Sequence, residues 1–460
     1  MPRARHGNPL KSLLDAPRVR DAARALIEAV HEEARERELA PKAYERTVHE
    51  LERLRGRPLA HPALASGIGR GARVRLANGH TLLDFASGIG TYGFGHSDPD
   101  LLETAVAAAA GDAVFQGHLL PGVEYLQLSR ALLRHSGPRL KHVWLSISGA
   151  MANENAHKLI LQKHHPADRI VVFERGFAGR TLAMAELTDR PGFREGLPLR
   201  GAALYVPFYD PQDPASTEHS LAALDTHLAR YPGRIAGMLF ELVQGEGGFY
   251  TAPPEFFAAL MDRCREVGLA VWVDEVQTFA RTGELFAFTT LGLEQHVDVV
   301  TLGKTLQGSA VLHTRAYNPK PGLVAGTFAG STVGMAVGAR IIERLESEGY
   351  LGPEGRVALL GRRFERRFEA LRKRLPRAVG ARSGIGAMQA VVPFDGSAAM
   401  VSAVLNACFE AGLLVHSTGS NPAKLRFLMP LNTSDEELEA GLTMLEKALR
   451  RVAEERDLPC

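Results

Sequence analysis

The pattern of apolar and polar residues changes along this chain and predicts where its elements lie. From residue 18 to 54, apolar residues recur every three or four positions between charges, which predicts helices. Residues 72–76 and 81–85 flank an Asn-Gly pair, which favours a tight β-hairpin. Helical stretches then separate short apolar runs, which we interpret as strands, at 142–146, 170–173, 236–240, 269–273 and 297–302. This alternation is typical of βαβ units and a mainly parallel sheet.

The last third of the chain returns to a mixed pattern. Residues 387–392 and 425–428 read as strands, and Ser434 with Glu437 forms a capping box before a closing amphipathic helix. A chain of 460 residues exceeds the size at which one core keeps growing. We therefore predict a helical extension at 1–60, the first part of a small domain at 61–100, a large domain at 101–335 and the rest of the small domain at 336–460.

The composition of the chain argues against nucleic acid and membranes as binding partners. The 54 Lys and Arg against 52 Asp and Glu give a net charge of +2, which offers no basic surface for nucleic acid or an anionic membrane. No apolar run is long enough for a membrane-spanning helix. Three cysteines at 264, 408 and 460, without a CxxC pair, argue against a disulfide framework and suit a reducing compartment. We expect a cytoplasmic protein.

The most informative feature is a pair of apolar strands that each end in one ionisable residue. Residues 270–273 lead to Asp274, and residues 297–302 lead to Lys304 after a glycine. Ligands in open α/β sheets bind beyond the carboxyl ends of the strands, so both side chains are expected to face one ligand. Pyridoxal phosphate needs this pair, because a lysine holds it as a Schiff base and a carboxylate pairs with its ring nitrogen. We predict Asp274 and Lys304 as the catalytic residues.

A second segment predicts an anion site. Ser148, Gly149 and Ala150 follow a strand and open a helix, so backbone amides and the positive helix end point to one place. A phosphate would be held by the amides of Gly149 and Ala150, with the Ser148 hydroxyl as an extra donor. The alternative is an ordinary turn between a strand and a helix.

Two further strand ends carry candidate side chains. Phe177 could stack on a flat ring, and Arg180 could bind a carboxylate through two hydrogen bonds. Glu241 and Glu246 lie in a segment that contains glycines at 245, 247 and 248, where a carboxylate can approach a ligand without crowding. We predict Glu241 among the cofactor-binding residues. The alternatives are a core phenylalanine, a solvated arginine and a plain acidic loop.

Two other signals do not fit their context. Residues 88–93 match the dinucleotide fingerprint GxGxxG, but the residues that follow cannot open a helix directly, as that motif requires. His157, His164 and His165 lie beside lysines and have no further ligand at usable spacing. We expect no nicotinamide cofactor and no metal.

Seven segments in order and at characteristic spacing resemble the class III pyridoxal-phosphate aminotransferases of fold type I. The likeness runs from about residue 71 to 449. The segments are Ser-Gly-Ala-Met-Ala-Asn-Glu at 148–154, Phe-Ala-Gly-Arg-Thr at 177–181, Gln-Gly-Glu-Gly-Gly at 244–248, Asp-Glu-Val-Gln at 274–277 with Arg-Thr-Gly at 281–283, Gly-Lys at 303–304, Gly-Thr-Phe-Ala-Gly at 326–330 and Leu-Arg-Phe at 425–427. The resemblance implies an α/β fold with a large, mainly parallel sheet flanked by helices and a smaller α+β domain built from both chain ends.

The resemblance also implies roles for residues around the cofactor ring. Lys304 would carry the Schiff base and then shuttle the proton between substrate and cofactor. Asp274 would pair with the ring nitrogen, Gln277 would hydrogen-bond the ring's phenolic oxygen, and Phe177 would stack on the ring. Thr327 of a neighbouring subunit would help Gly149 and Ala150 hold the phosphate, which implies a homodimer with shared active sites.

The same resemblance implies how substrates bind. Arg426 would bind the α-carboxylate of the oxo acid, Glu246 would pair with that arginine when a terminal amine enters, and Arg180 would bind a distal carboxylate. Ala150 replaces a common threonine, which removes one hydroxyl to the phosphate and about 1 kcal/mol. Ala178 replaces a usual histidine or tryptophan. Ile89 stands where ornithine aminotransferases carry a tyrosine, which counts against ornithine.

We therefore predict an aminotransferase that moves a terminal amino group to an oxo acid, 2-oxoglutarate being favoured, in a ping-pong cycle. The run after Lys304 resembles lysine 6-aminotransferases and 4-aminobutyrate aminotransferases, so lysine and 4-aminobutyrate lead as donors. The alternatives are an ornithine or N-acetylornithine aminotransferase and an aminomutase or racemase on the same fold. A catalytically silent scaffold is a third, which the retention of both Asp274 and Lys304 opposes.

Overall fold

The computed structural model describes residues 14–111 and 119–459. The strands are β1 (Ala65–Arg70), β2 (Arg73–Leu76), β3 (Thr81–Asp84), β4 (His142–Ser146), β5 (Arg169–Phe173), β6 (Ala203–Val206), β7 (Ile235–Phe240), β8 (Val243–Gln244), β9 (Tyr250–Thr251), β10 (Ala270–Glu275), β11 (Val299–Leu302), β12 (Ser309–His313), β13 (Val379–Ile385), β14 (Met388–Pro393), β15 (Leu413–Leu414), β16 (His416–Thr418) and β17 (Lys424–Leu428).

Helices lie between and around these strands. They are α1 (Pro17–Glu36), α2 (Pro41–Arg55), α3 (Pro99–Ala109), α4 (Val123–His135), α5 (Gly149–Lys163), α6 (Leu182–Leu187), α7 (Pro191–Arg194), α8 (Ser216–Arg230), α9 (Pro254–Glu266), α10 (Ala287–Thr290), α11 (Thr332–Ser347), α12 (Arg356–Arg374), α13 (Ala398–Glu410) and α14 (Asp435–Glu455).

The central sheet has the strand order β4-β12-β11-β10-β7-β5-β6 in the described residues. The pairs from β11 to β6 are all parallel, and β12 runs antiparallel to both of its neighbours. Helices cover both faces, because alternate residues of β10 join different cores: Val271 and Val273 pack on the side of α9, and Trp272 packs on the side of α5. Burial on both faces explains why this strand is a continuous apolar run.

In the central sheet, the strand pattern missed β6 and β12, and in the smaller sheets it missed β1, β8, β9, β13, β15 and β16. β6 and β12 have only four and five residues, and β12 begins with serine and ends with histidine, although all of its residues are buried. Serine and histidine at a strand end resemble a loop in the sequence, and only the pairing of β12 with β4 and β11 buries them. The predicted strands around 142–146, 170–173, 236–240, 269–273 and 297–302 are all present, with ends shifted by a few residues.

Both chain ends contribute to smaller sheets that pack beside the central one. The N-terminal sheet has the order β1-β2-β3-β15, and β15 joins it in parallel by pairing Leu413 with Leu83. The predicted hairpin is present, with Gly79 at φ +83° between β2 and β3. The C-terminal sheet has the order β13-β14-β17-β16, and α14 starts at the capping box of Ser434 and Glu437.

The N-terminal helical segment docks through ion pairs. The Nε atoms of Arg20 and Arg24 on α1 each lie 2.9 Å from a carboxylate oxygen of Glu103 on α3.

Cys264 and Cys408 are buried and form no disulfide bond. Among the described residues, no helix is both long and apolar enough to cross a membrane. The limits of the four predicted domains stay predictions.

Candidate active site

One cavity of about 360 Å³ collects most of the predicted site residues at the carboxyl edge of the central sheet. Parallel β10 and β11 are in register, with Asp274 opposite Thr301. The chain therefore delivers Asp274 and, three residues after Thr301, Lys304 to the same edge. Further residues complete the lining: Gly149, Ala150, Asn153, Phe177, Arg180, Glu241, Gly245, Glu246 and Gln277.

The start of α5 forms one wall of the cavity. The Ser148 hydroxyl caps the helix by accepting a hydrogen bond from the Met151 amide at 3.3 Å. A Cβ atom at Gly149 would lie 2.6 Å from Val276 Cγ1, so only glycine lets the helix start this close to β10. The amides of the first helical turn have no partner within the helix. Gly149 and Ala150 can therefore hold an anion with their backbone N–H groups.

Asp274 is buried and held on both oxygens. Its Oδ1 accepts from the Val276 amide at 2.8 Å, and its Oδ2 accepts from Asn153 Nδ2 at 2.7 Å. Burial raises the pKa of Asp274 to about 6, against the opposing effect of these two hydrogen bonds and of Lys304. A cation beside this carboxylate would hold it ionised, because the neighbouring positive charge favours the charged form.

Lys304 opens a single tight turn after β11 and is held in the left-handed region, with φ +46°. Its ammonium is enclosed, and burial lowers its pKa to about 8, an effect that the nearby Arg426 reinforces. The acids Glu246, Asp274 and Glu241 oppose the shift. A lowered pKa makes more of the neutral amine available, which is the form that attacks a carbonyl carbon.

Glu241 lies between two of the site loops. Its Oε2 accepts from the Phe177 amide at 2.7 Å, and its Oε1 accepts from the Gly245 amide at 3.1 Å. Burial raises its pKa to about 8, and the negative charge of Asp274 adds to this effect. The carboxyl group thus fixes the loops that carry Phe177 and Glu246, in addition to its predicted contact with the cofactor.

Phe177 and Gln277 also line the cavity. The Phe177 ring is half-buried and meets Phe193 edge to face at 6.0 Å. Gln277 Oε1 is buried without a hydrogen-bond partner, as is Asn153 Oδ1. Buried polar atoms normally find a partner, so two orphaned oxygens facing one cavity point to a polar ligand there.

Glu246, which lines the cavity, forms a buried ion pair with Arg426. The Arg426 Nη1 atom lies 2.5 Å from Glu246 Oε1, and the two side chains are 1% and 16% exposed. Arg426 Nε has no partner, so the guanidinium keeps an open donor. Burial alone would raise the pKa of Glu246, but Arg426 outweighs it and the pKa lies below its ordinary value.

The loop that carries Glu246 is anchored to the C-terminal sheet. The Thr418 hydroxyl donates to the Gly245 carbonyl at 2.8 Å, and Lys424 Nζ donates to the Gly248 carbonyl at 2.9 Å. Arg426 lies on β17, two residues after Lys424. The same sheet therefore positions both members of the ion pair.

Not every predicted residue lies inside the cavity, and Ser148 and Arg426 are among those that do not line it. Arg180 is exposed, lines the cavity and places its guanidinium carbon 4.3 Å from the centre of the Phe193 ring. Ile89 is half-buried against an apolar cluster that includes Val243, itself a cavity residue. Thr327 is exposed and does not line this cavity, so its predicted contact with a neighbouring subunit stays a prediction.

The family model described as "Aminotransferase class-III" matches residues 60–449. The chain belongs to the class III aminotransferases. It is an enzyme of this family, and its cofactor is pyridoxal 5′-phosphate. The match confirms the family, reaction class and cofactor indicated by the seven segments.

Curated relatives differ in their named substrates. The chain is 32% identical to 2-aminoadipate transaminase of Pseudomonas putida, over 85% of this chain and 96% of that protein. It is 33% identical to acetylornithine aminotransferase of Xanthomonas campestris pv. campestris, over 83% and 91%. It is 32% identical to a probable 4-aminobutyrate aminotransferase of Bacillus subtilis, over 83% and 92%.

A solved structure shows the same fold. Lysine aminotransferase from M. tuberculosis superposes with a TM-score of 0.79 at 23% identity, over 88% of this chain and 99% of that one. The predicted fold class, with a large sheet rich in parallel strands flanked by helices, is thereby confirmed.

The cavity of this class III aminotransferase fits its cofactor. Gly149 and Ala150 offer amides for the phosphate, Asp274 is a buried acid for the ring nitrogen, and Gln277 has a free oxygen. When bound, pyridoxal phosphate supplies a ring that accepts electrons from the substrate carbon. Lys304 would supply the amine that attaches it and could then carry a proton to and from the substrate carbon.

Asn153 is a site residue to which the sequence analysis assigned no role. It lies three residues after Ala150 on α5, so both side chains share one helix face. Its Nδ2 donates to Asp274 Oδ2 at 2.7 Å and to the Ala178 carbonyl at 2.6 Å. The helical spacing from Ala150 was the available signal, but a polar residue at that position could equally face solvent.

The covalent attachment of pyridoxal phosphate to the cofactor-free protein should follow the low pKa of Lys304. Because only the neutral amine attacks, the rate should rise with pH and level off near 8, the pKa of Lys304 in the fold, rather than near 10.5. Stopped-flow absorbance measures this rate. Lys304→Ala should show no borohydride-trapped adduct, and a rate that keeps rising towards pH 10.5 would contradict the burial argument.

Asn153→Ala should weaken cofactor binding about tenfold or more. A hydrogen bond to a charged group contributes about 1.5–3 kcal/mol, and its loss also raises the pKa of Asp274 so that less of the carboxylate is ionised. Titration of the cofactor-free protein with pyridoxal phosphate gives the dissociation constant. Asn155→Ala is the matched control, since Asn155 lies on the same helix but donates to Ser146 Oγ. Equal effects of the two substitutions would refute this role.

Proposed function

We propose that this class III aminotransferase transfers the terminal amino group of an ω-amino or diamino acid to an oxo acid, with lysine or 4-aminobutyrate as donor and 2-oxoglutarate as acceptor. The two half-reactions alternate on one cofactor in a ping-pong cycle. The enzyme works as a cytoplasmic homodimer with shared active sites. The observation that carries the proposal is the buried ion pair of Glu246 and Arg426, both close enough to Lys304 to act on its charge.

This ion pair suits two alternating substrates. A donor that enters with its terminal amine first presents no carboxylate to Arg426, and Glu246 then neutralises the buried guanidinium. An oxo acid presents an α-carboxylate, which can replace Glu246 through the open donors of Arg426. Without Glu246, the guanidinium would be a buried charge with no partner in the first half-reaction, which is costly.

The other end of the donor is expected at Arg180. This residue is exposed at the cavity rim, so it can bind a distal carboxylate without first leaving an ion pair. The apolar cluster of Ile89 and Val243 lies next to the path of the aliphatic chain. Such a lining supports a donor with methylene groups between its amine and its acid.

The homodimer is supported by an apolar face. Ile147 and Phe328 are 64% and 66% exposed, and both line a groove that also contains Tyr92. Exposed apolar groups in one groove favour contact with another protein surface. Thr327 directly precedes Phe328, so a second copy seated on this face would receive that threonine at the interface.

An N-acetylornithine aminotransferase is the second candidate. It is favoured by the identity of 33% with acetylornithine aminotransferase of Xanthomonas campestris pv. campestris over 83% of this chain. N-acetylornithine also reacts through a terminal amine and would use the same ion pair. The two candidates differ in whether the far end of the donor carries an acylated nitrogen.

A panel of amines tests the reaction and identifies the donor. Purified enzyme with lysine, 4-aminobutyrate, ornithine or N-acetylornithine alone should lose the absorbance of its aldehyde cofactor once and then stop. Addition of 2-oxoglutarate should restore the absorbance and yield glutamate. Continued turnover without an oxo acid would identify an aminomutase or racemase instead, and no reaction with any terminal amine would overturn the proposal.

Glu246→Gln should separate the two half-reactions. Arg426 would then bind the carboxylate of a donor, so the donor would enter with its carboxylate first instead of its terminal amine. The kcat/KM for terminal amines should therefore fall roughly tenfold or more. The half-reaction with 2-oxoglutarate should persist, because it needs Arg426 free. Single-turnover absorbance measures each half-reaction, with exposed Glu255→Gln as control. Equal losses in both directions would contradict the proposed exchange.

A further inference from the structure

The chain follows an unusual backbone path just before α3. Ser87, Gly88, Ile89 and Gly90 all have positive φ, at 42°, 62°, 57° and 87°. We call residues 87–90 the left-handed turn. Isoleucine is branched at Cβ and rarely adopts this region, so its presence indicates backbone strain. Strain of this kind persists where the surrounding structure fixes the backbone, and it occurs preferentially at functional sites.

Hydrogen bonds from both sides hold the left-handed turn. At its start, Asp84 Oδ1 accepts from the amides of Ala86 at 2.8 Å and Ser87 at 2.7 Å. At its end, the Gly90 carbonyl accepts from Arg281 Nη2 at 2.9 Å and from the Thr305 hydroxyl at 3.1 Å. The turn that carries Ile89 is therefore fixed by residues far away in sequence.

Arg281 is fully buried and makes three hydrogen bonds to neutral oxygens. Its Nη2 donates to the Gly90 carbonyl, its Nη1 to the Met429 carbonyl at 3.0 Å and its Nε to the Thr305 hydroxyl at 3.1 Å. None of these acceptors neutralises its charge, and burial lowers its pKa to about 9. A planar fork of donors satisfies three acceptors in fixed directions, which an ammonium group does not.

These three acceptors lie in the same short segments as three of the predicted site residues. Gly90 directly follows Ile89, and Thr305 directly follows Lys304. Met429 lies three residues after Arg426, just beyond the end of β17. Thr305 is 1% exposed and uses its hydroxyl twice, as acceptor from Arg281 and as donor to Gly90. Arg281 and Thr305 therefore bridge the lysine turn, the left-handed turn and the strand of the carboxylate-binding arginine.

We propose that Arg281 and Thr305 are positioning residues that fix the separation between Lys304 and Ile89, and so determine which length of substrate the cavity accepts. This inference rests on the proposed transamination of terminal amines. The hydrogen-bonded bridge formed by Arg281 and Thr305 is buried and fixed in length. A donor must therefore match the distance between Lys304 and the side of the cavity next to Ile89. Neither residue touches the substrate.

Thr305→Val is the decisive variant, because valine keeps the shape of threonine and removes only the hydroxyl. Thr305→Ser is the matched control, since serine keeps the hydroxyl and loses the methyl group. For wild type and both variants, kcat and KM are measured with the preferred donor and with its homologues one methylene shorter and longer. We expect Thr305→Val to reduce the ratio of kcat/KM between preferred and homologous donors at least threefold, while Thr305→Ser retains the wild-type ratio.

A second readout does not depend on turnover. Calorimetry gives the dissociation constants of unreactive straight-chain carboxylates with four, five and six carbons. The wild-type preference for one length should flatten at least threefold in Thr305→Val and persist in Thr305→Ser. A merely structural loss would lower the melting temperature and weaken all lengths equally.

The outcomes separate this inference from the proposed function. Unchanged length preference in Thr305→Val, or equal flattening in Thr305→Ser, would overturn the positioning role. If Thr305→Val does not fold, Arg281→Lys keeps the charge without the fork and is tested in the same way, and an unchanged preference there would overturn the role as well. A wild-type enzyme that fails to transaminate terminal amines would refute the proposed function alone, since the carboxylate series still tests the bridge.

Discussion

The active site depends on the burial of ionisable groups at the carboxyl edge of the central sheet. Parallel β10 and β11 bring Asp274 and Lys304 to one cavity. Burial raises the pKa of the acid to about 6 and lowers that of the amine to about 8. Each group is thus charged in a smaller fraction of molecules than it would be in water. An ionic partner would stabilise the charged form of the acid, and a covalent partner would use the neutral form of the amine. The fold prepares the site for a cofactor that supplies a ring cation and an aldehyde.

A second constraint comes from the C-terminal sheet. It carries Arg426 and anchors the loop of Glu246 through Thr418 and Lys424, so one sheet positions both halves of the ion pair. Arg281, at the end of the loop after β10, extends this connection to the left-handed turn and to Thr305. Buried hydrogen bonds therefore join the segments that carry Arg426, Ile89 and Lys304.

Much of this organisation could be predicted because its signals are local. The alternation of apolar runs and helices indicated a parallel sheet, and the polar residues after two runs indicated Asp274 and Lys304. Glu241 is an example of a residue whose contacts the local sequence could not predict. Its place after a strand predicted contact with the cofactor, but its two hydrogen bonds to the amides of Phe177 and Gly245 depend on loops far apart in sequence. Asn153 and Arg281 had no assigned role for the same reason.

The amino-acid sequence by itself determined the order of the main elements and placed an acid at Asp274 and an amine at Lys304 after two apolar strands. These follow from side-chain periodicity and from local backbone geometry. The pairing of Glu246 with Arg426 was implied by the family resemblance, and the tertiary structure forms it across 180 residues. Only the tertiary structure decided that Arg281 meets three neutral acceptors from separate segments. Ion pairs and hydrogen bonds between distant residues depend on how the sheets pack, and packing is a property of the whole chain.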